Sequence, residues 1–142
     1  MSKLESYRDL EVWKQTKELV RLIYQVTKAF PKEEQFGLTN QLRRASVSIP
    51  SNIAEGCGRN HSKELIQFFF ISRGSLYEVE TQTIISFELG YITKDQQNTI
   101  LDNIRSCKRL LNGFISYFQN KGDQQLTTIN EQLEEYGNDS TN

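Results

Sequence analysis

Apolar residues recur at spacings of three and four along most of the chain, the period of helices that bury one face. Trp13, Thr16, Val20, Ile23, Thr27 and Phe30 form the first stripe, which predicts a helix from about Asp9 to Ala29. Asp9 is placed as its N-cap and Pro31 as its stop. Leu19, Leu22 and Val26 widen its apolar face. A second stripe of Leu38, Leu42, Ala45, Ile49 and Ile53 predicts a helix from near Thr39 to Gly56–Gly58. Pro50 falls inside it, removes one backbone hydrogen bond and crowds the Ser46 carbonyl. The stripe stays in phase on both sides, which favours one kinked helix over two short ones. Ser46, Ser48 and Ser51 are placed to bond the freed backbone groups.

A third helix is expected over Lys63–Leu89, with Ser62 as N-cap and Gly90 as stop. Leu65, Phe69, Ser72, Leu76, Val79, Thr83 and Phe87 form its core stripe. Ile66, Phe70, Tyr77 and Ile84 form a second one, and the run Phe68–Ile71 points in all directions. One face of each helix in a four-helix protomer normally stays wet, so the second stripe is expected to be a subunit interface. Gly74, inside the helix, is expected to mark close approach of a neighbouring helix. Thr93-Lys94-Asp95-Gln96 is a capping box that opens a fourth helix. Ile100, Ile104, Cys107, Leu111, Phe114 and Phe118 follow it at strictly alternating spacings of four and three, the seam of a bundle, and Gly122 closes it. No alternating strand pattern occurs. The fold class is therefore all-α, and short connections make it an antiparallel up-down-up-down four-helix bundle. Residues 1–122 are assigned to the bundle and residues 123–142 to an acidic tail, mobile or loosely helical around Leu126–Leu133.

A chain of 142 residues with 37% apolar and 25% charged side chains can build one core with a polar surface. No apolar run approaches a bilayer span, and the N-terminal stretch lacks a signal-peptide core, so a cytoplasmic protein without a membrane partner is expected. Cys57 and Cys107 are read as reduced thiols. The net charge of −1 is unevenly distributed. Residues 121–142 set Lys121 against Asp123, Glu131, Glu134, Glu135 and Asp139, a balance of −4, while the 16 basic and 13 acidic side chains of residues 1–120 leave +3. A mildly basic body is compatible with RNA but does not require it.

No catalytic constellation emerges. Gly56-Cys57-Gly58 follows a helix rather than a strand, and His61 stands at the third glycine position of a dinucleotide fingerprint, so the glycines read as a helix C-cap and turn. Cys57 and His61 offer two metal ligands with Glu55 or Glu64 nearby, a weak set across a glycine turn, and as nucleophile and base they lack an orienting third group. Glu33/Glu34 and Glu78/Glu80 diverge around a helix, and no Glu-x-x-His motif suggests a di-iron bundle. Neither a metal, a cofactor nor an enzymatic activity is expected. The polar residues are more informative. Gln41, Arg44, Ser48, Asn52 and Glu55 share one face of the second helix, and Arg73, Ser75, Glu78 and Gln82 are neighbours on the third. A buried hydrogen-bonded seam is expected, for instance Arg44 to Glu78 and Asn52 to Ser75, in preference to a ligand-facing groove.

The segment Gln41–Gly56, QLRRASVSIPSNIAEG, resembles the signature of the bacterial four-helix-bundle proteins of the 23S rRNA intervening-sequence type. Tyr7–Trp13, Phe36–Thr39, Arg73–Glu78 and Leu89–Ile92 match as well, in the family's order, so the resemblance covers about residues 7–119. It implies a four-helix protomer assembled into a homopentameric ring. It also implies kinship with the accessory variability determinant of diversity-generating retroelements, a basic barrel that binds RNA and a reverse transcriptase. This chain is less basic than that relative. The expected function is a non-catalytic homo-oligomer that binds structured RNA, a ribonucleoprotein or a reverse transcriptase; the alternative is a protein–protein scaffold with no nucleic-acid partner. Arg43, Arg59, Lys63, Arg105, Lys108 and Arg109, near helix ends and turns or clustered on the fourth helix, are the RNA-binding candidates.

Overall fold

The structure, a computed structural model, describes residues 6–121. Four helices, α1 (Glu11–Thr27), α2 (Leu38–Cys57), α3 (Ser62–Glu88) and α4 (Lys94–Lys121), form an up-down-up-down bundle, with no strand among the described residues. Each helix packs on the next, and α4 closes on α1. The expectations for Gly122 and for the tail lie outside the described residues.

α1 begins later than Asp9 suggested. Ser6 caps a short 3-10 turn, Tyr7–Asp9, by accepting from the Arg8 N–H at 3.1 Å, and Leu10 takes the N-cap position of α1 without a side-chain bond. The turn buries Leu10 in the core and sets Tyr7 edge-on to Trp13, ring centroids 5.2 Å apart. The buried line of α1 is Val12, Thr16, Leu19, Ile23 and Thr27, rotated slightly from the predicted stripe, so Trp13 and Val20 are only half-buried. After Thr27 the chain tightens, with Phe30 N–H donating to the Thr27 carbonyl, and Pro31 leads into a second 3-10 turn at Lys32–Glu34.

α2 runs unbroken through Pro50. Of the three serines placed to help there, Ser51 donates to the Val47 carbonyl at 2.7 Å and Ser46 to that of Arg43 at 3.0 Å, while Ser48 turns to α3. Ser72 of α3 donates to the Ile49 carbonyl at 2.9 Å and ties the two helices together next to the proline. α3 starts one residue earlier than expected, with His61 in the N-cap position and Ser62 buried as its first residue. It ends as Gly90 predicts. Gly90 has φ +79°, Tyr91 N–H reaches the Ser86 carbonyl and Gly90 N–H the Phe87 carbonyl, which is a Schellman motif. Tyr91 then donates to Glu34 Oε2 at 3.0 Å and pins together the two loops at that end. The Thr93–Gln96 capping box forms reciprocally, at 2.8 and 3.1 Å, and all six seam residues of α4 are buried.

The glycines exchange roles. A Cβ on Gly74 would meet nothing within 4 Å, so no helix of the protomer approaches there. The close contact is at Gly56, where a Cβ would lie 3.1 Å from the Phe68 Cβ, 3.2 Å from the Leu65 carbonyl oxygen and 3.2 Å from the Phe69 ring. Gly56→Ala is expected to destabilise the protein by about 1–3 kcal/mol through overpacking. Gly74→Ala is expected to stabilise the helix of the protomer by up to about 1 kcal/mol. Urea unfolding of both variants checks the pair, and equal effects would contradict it.

Candidate functional site

The outward face of α3 is the largest departure from a wet helix surface. The core stripe Leu65, Phe69, Ser72, Leu76, Val79 and Thr83 is buried. Phe70 (38% exposed), Tyr77 (48%) and Ile84 (38%) of the second stripe face outward, and Ile66 is half-buried. Ile71 (51%), flagged only as part of the Phe68–Ile71 run, flanks the second stripe across the open position of Gly74 together with two residues that sequence reasoning missed, Ile85 and, just past the helix, Leu89 (54%). The signal was present in the Phe68–Ile71 run, where four directions around the helix are apolar.

A groove between α1 and α2 carries the remaining apolar exposure on the helices. Trp13, Val20, Val47, Pro50 and Ala54 line one stretch of it with Lys17, and Tyr24, Val47, Arg43 and Arg44 continue it. Lys17 lies 4.2 Å from the Trp13 ring centroid.

A few polar side chains of α2 and α3 bond to one another, with partners other than those expected. The Ser48 and Ser75 hydroxyls meet at 2.6 Å, Asn52 Nδ2 donates to the Ser48 carbonyl at 2.8 Å, and Gln82 Nε2 donates to Gln41 Oε1 at 3.1 Å. The expected Arg44–Glu78 and Asn52–Ser75 bonds do not form. Arg44, Glu78, Gln41 and Glu55 are exposed, because α2 and α3 turn these positions past their contact line. Ser75→Ala is therefore expected to cost about 1 kcal/mol, because it removes the 2.6 Å partner of the Ser48 hydroxyl and leaves it only Asn52 Nδ2 at 3.4 Å. Glu78→Leu is expected to stay within about 0.5 kcal/mol in the monomer. Thermal melts decide between this seam and the one expected from sequence.

The six basic candidates do not gather into one patch. Arg43 is half-buried on the α1 side, donating to Thr27 Oγ1 at 2.9 Å and stacking 4.7 Å from the Tyr24 ring centroid. Arg59 pairs with Glu55 at 2.7 Å and lies over Phe68, beside exposed Lys63 at the α2–α3 turn. On α4, Arg105 pairs with Asp102 at 2.8 Å and Lys108 with Glu80 at 2.6 Å, while Arg109 stands exposed. Lys63, Arg109 and Arg44 have no acidic partner among the described residues.

Burial pushes both thiols, Cys57 and Cys107, up to about 12, so neither is an activated nucleophile. Among the described residues no three His, Cys, Asp or Glu side chains converge to hold a metal ion, and no helix is long and apolar enough to cross a membrane.

Residues 8–113 match the family described as 23S rRNA-intervening sequence protein. The chain belongs to that family. The match spans α1, α2, α3 and most of α4, and so takes in both the outer face of α3 and the α1–α2 groove. A solved structure from Bacteroides thetaiotaomicron VPI-5482, described as a protein with unknown function from the S23 ribosomal protein family, has the same fold. It superposes with a TM-score of 0.68 at 23% identity, covering 73% of this chain and 97% of that one. No curated protein matches the chain.

Proposed function

We propose that this 23S rRNA-intervening sequence family member is a non-catalytic, self-associating bundle whose copies pack through the outer face of α3. The observation that carries the reading is the exposure of Phe70, Ile71, Tyr77, Ile84 and Ile85 on a single helix. Fully burying a large apolar side chain contributes roughly 1.5–3 kcal/mol; these five are about half exposed, so removing the remainder from water contributes about half of that each and favours association. Light scattering at micromolar concentration tests it: an assembly larger than one chain is expected, and a stable monomer overturns the reading.

A second role is favoured by a separate observation. Lys63, Arg109 and Arg44 carry charge that no acidic side chain among the described residues offsets. In an assembly these cations repeat once per protomer, so weak phosphate contacts add through multivalency. The family is described by a 23S rRNA intervening sequence, and structured RNA is the partner this repeated charge suits. The cytoplasm is the compartment in which such a partner would be met.

A further inference from the structure

A groove of about 510 Å³ lies between the first turns of α3 and the last turn of α4. Ile66, Phe70 and Phe118 form its floor, and Lys63, Gln67 and Gln119 its rim. No carboxylate lines it. Lys63 marks the end of the groove near the α2–α3 turn. Arg73 stands just past the other end, stacked 4.8 Å from the Phe70 ring centroid and donating to Asn112 Oδ1 at 3.2 Å. Neither cation has an acidic partner among the described residues. An apolar floor between two such cations suits an occupant that is apolar in the middle and acidic at both ends.

The sequence supplies such an occupant next to the groove. α4 ends at Lys121, less than one turn past Gln119, and residues 122–142 follow. Among them Leu126, Ile129, Leu133 and Tyr136 recur at spacings of three, four and three, the period of a helix with one apolar face. Asp123 precedes this stripe, Glu131, Glu134 and Glu135 accompany its second half, and no basic residue follows Lys121. A helix of this length is marginal in water by itself, so its apolar face needs a surface to cover. Gly122 stands where the chain would have to reverse. The lengths agree as well. Lys63 to Phe70 is seven residues, about 10 Å along α3, and Leu126 and Leu133 are also seven residues apart. The segment lies beyond residues 8–113, the part that matches the family, so the contact would belong to this chain rather than to the family fold.

We propose that residues 123–136 fold back on their own chain and cover the α3–α4 groove. Leu126, Ile129 and Leu133 lie on its floor, Asp123 beside Lys63, and the acidic cluster Glu131, Glu134 and Glu135 toward Arg73. The contact does not depend on the self-association proposed above. Ile71 points about 100° away from Phe70 around α3, and Ile84 and Ile85 lie about 20 Å further along it, so the segment leaves them uncovered.

Thiol cross-linking in the full-length protein tests the contact. Gln67→Cys places a thiol in the α3–α4 groove, Ser51→Cys places a control thiol between α1 and α2, and each is combined with Asn130→Cys; Gln67 and Ser51 are both exposed. The native thiols are buried and held protonated, so they stay silent toward a bis-maleimide. A denaturing gel separates links within one chain from links between chains. The Gln67→Cys/Asn130→Cys variant is expected to link within the chain several-fold faster than Ser51→Cys/Asn130→Cys, at a rate independent of protein concentration. Adding Phe70→Glu is expected to remove that preference while the thermal melt stays in place. Adding Ile129→Ser with Leu133→Ser is expected to remove it without altering any described residue. Equal rates in the two double-cysteine variants, no link at all, or a preference that survives Ile129→Ser with Leu133→Ser overturns the proposal. Links formed only between chains overturn it too, and assign the segment to the groove of a second copy. A monomer in light scattering that still shows the preference upholds this contact while overturning the self-association.

Discussion

If copies associate through the outer face of α3 as proposed, Ile71→Glu combined with Ile85→Glu is expected to yield monomers that fold normally. Both side chains are substantially exposed in the protomer, and surface substitutions away from special features usually change folding stability by no more than about 0.5 kcal/mol. In an assembly the same positions are removed from water. A carboxylate buried there without a partner costs about 3–5 kcal/mol, which corresponds to a rise in dissociation constant of roughly 100-fold or more for each substitution. Neighbouring Glu78 adds like-charge repulsion. Sedimentation over a concentration series reads the association, and a thermal melt of the dilute variant reads the fold. Wild-type assembly in the double variant would show that this face stays wet. Loss of the melt together with loss of assembly would show that the residues belong to the core.

The bundle itself is legible in the sequence where one signal dominates. The α4 seam is a strict alternation of fours and threes, and its capping box closes as the four residues Thr93–Gln96 require. Gly90 announces its own positive φ, because little else tolerates that conformation. The signals fail where two structures share one pattern. Asp9 reads as the cap of α1 by residue type, but it falls in the Tyr7–Asp9 turn, and the cap position goes to Leu10, which is buried in the core. A glycine inside a helix looks the same whether it admits a neighbour, as Gly56 does, or faces open space, as Gly74 does. The stripe of α1 reads as Trp13 and Val20 rather than Val12 and Leu19 because all four are apolar and only the neighbouring helices select among them.

The surfaces are legible to a similar depth. The second stripe of α3 is visible in the spacing of Ile66, Phe70, Tyr77 and Ile84, whereas its widening by Ile71, Ile85 and Leu89 needs the direction of the core to be known. Among the cations, the pairing of Arg59 with Glu55 and of Arg105 with Asp102 follows from spacings of four and three on one helix. The Lys108–Glu80 pair joins α4 to α3 across 28 positions and has no local signature. Arg43 looks like a surface charge until Thr27 and Tyr24 are brought to it by α1. Periodicity places only part of the expected polar seam at the helix contact: the rotation of α2 and α3 pairs Ser48 with Ser75 and leaves Arg44, Glu55 and Glu78 exposed.

That inventory of cations sets the terms of an RNA measurement. The last turn of α4 lies at the same end of the bundle as the α2–α3 turn: Phe118 and Gln119 line one groove with Ser62 and Lys63. The segment after Lys121 carries Asp123, Glu131, Glu134, Glu135 and Asp139. Five carboxylates joined to the end of α4 would lower the potential around the protein and so compete with phosphate for its cations. Cutting the chain after Lys121 changes the charge by +5 per protomer. Affinity for a structured RNA is expected to rise by about 10- to 100-fold at low salt, because every copy in an assembly contributes. The gain is expected to shrink as ionic strength rises, since exposed charges are screened within about 10 Å at 0.1 M salt. Lys63→Glu with Arg109→Glu in the truncated chain should remove it, whereas reversal of Arg43, already engaged by Thr27 and Tyr24, should remove little. Filter-binding titrations of full-length and truncated protein at two salt concentrations read all of these effects. If neither form retains RNA at low salt, the nucleic-acid role falls, and what stands is a scaffold whose partners are proteins, copies of itself first among them.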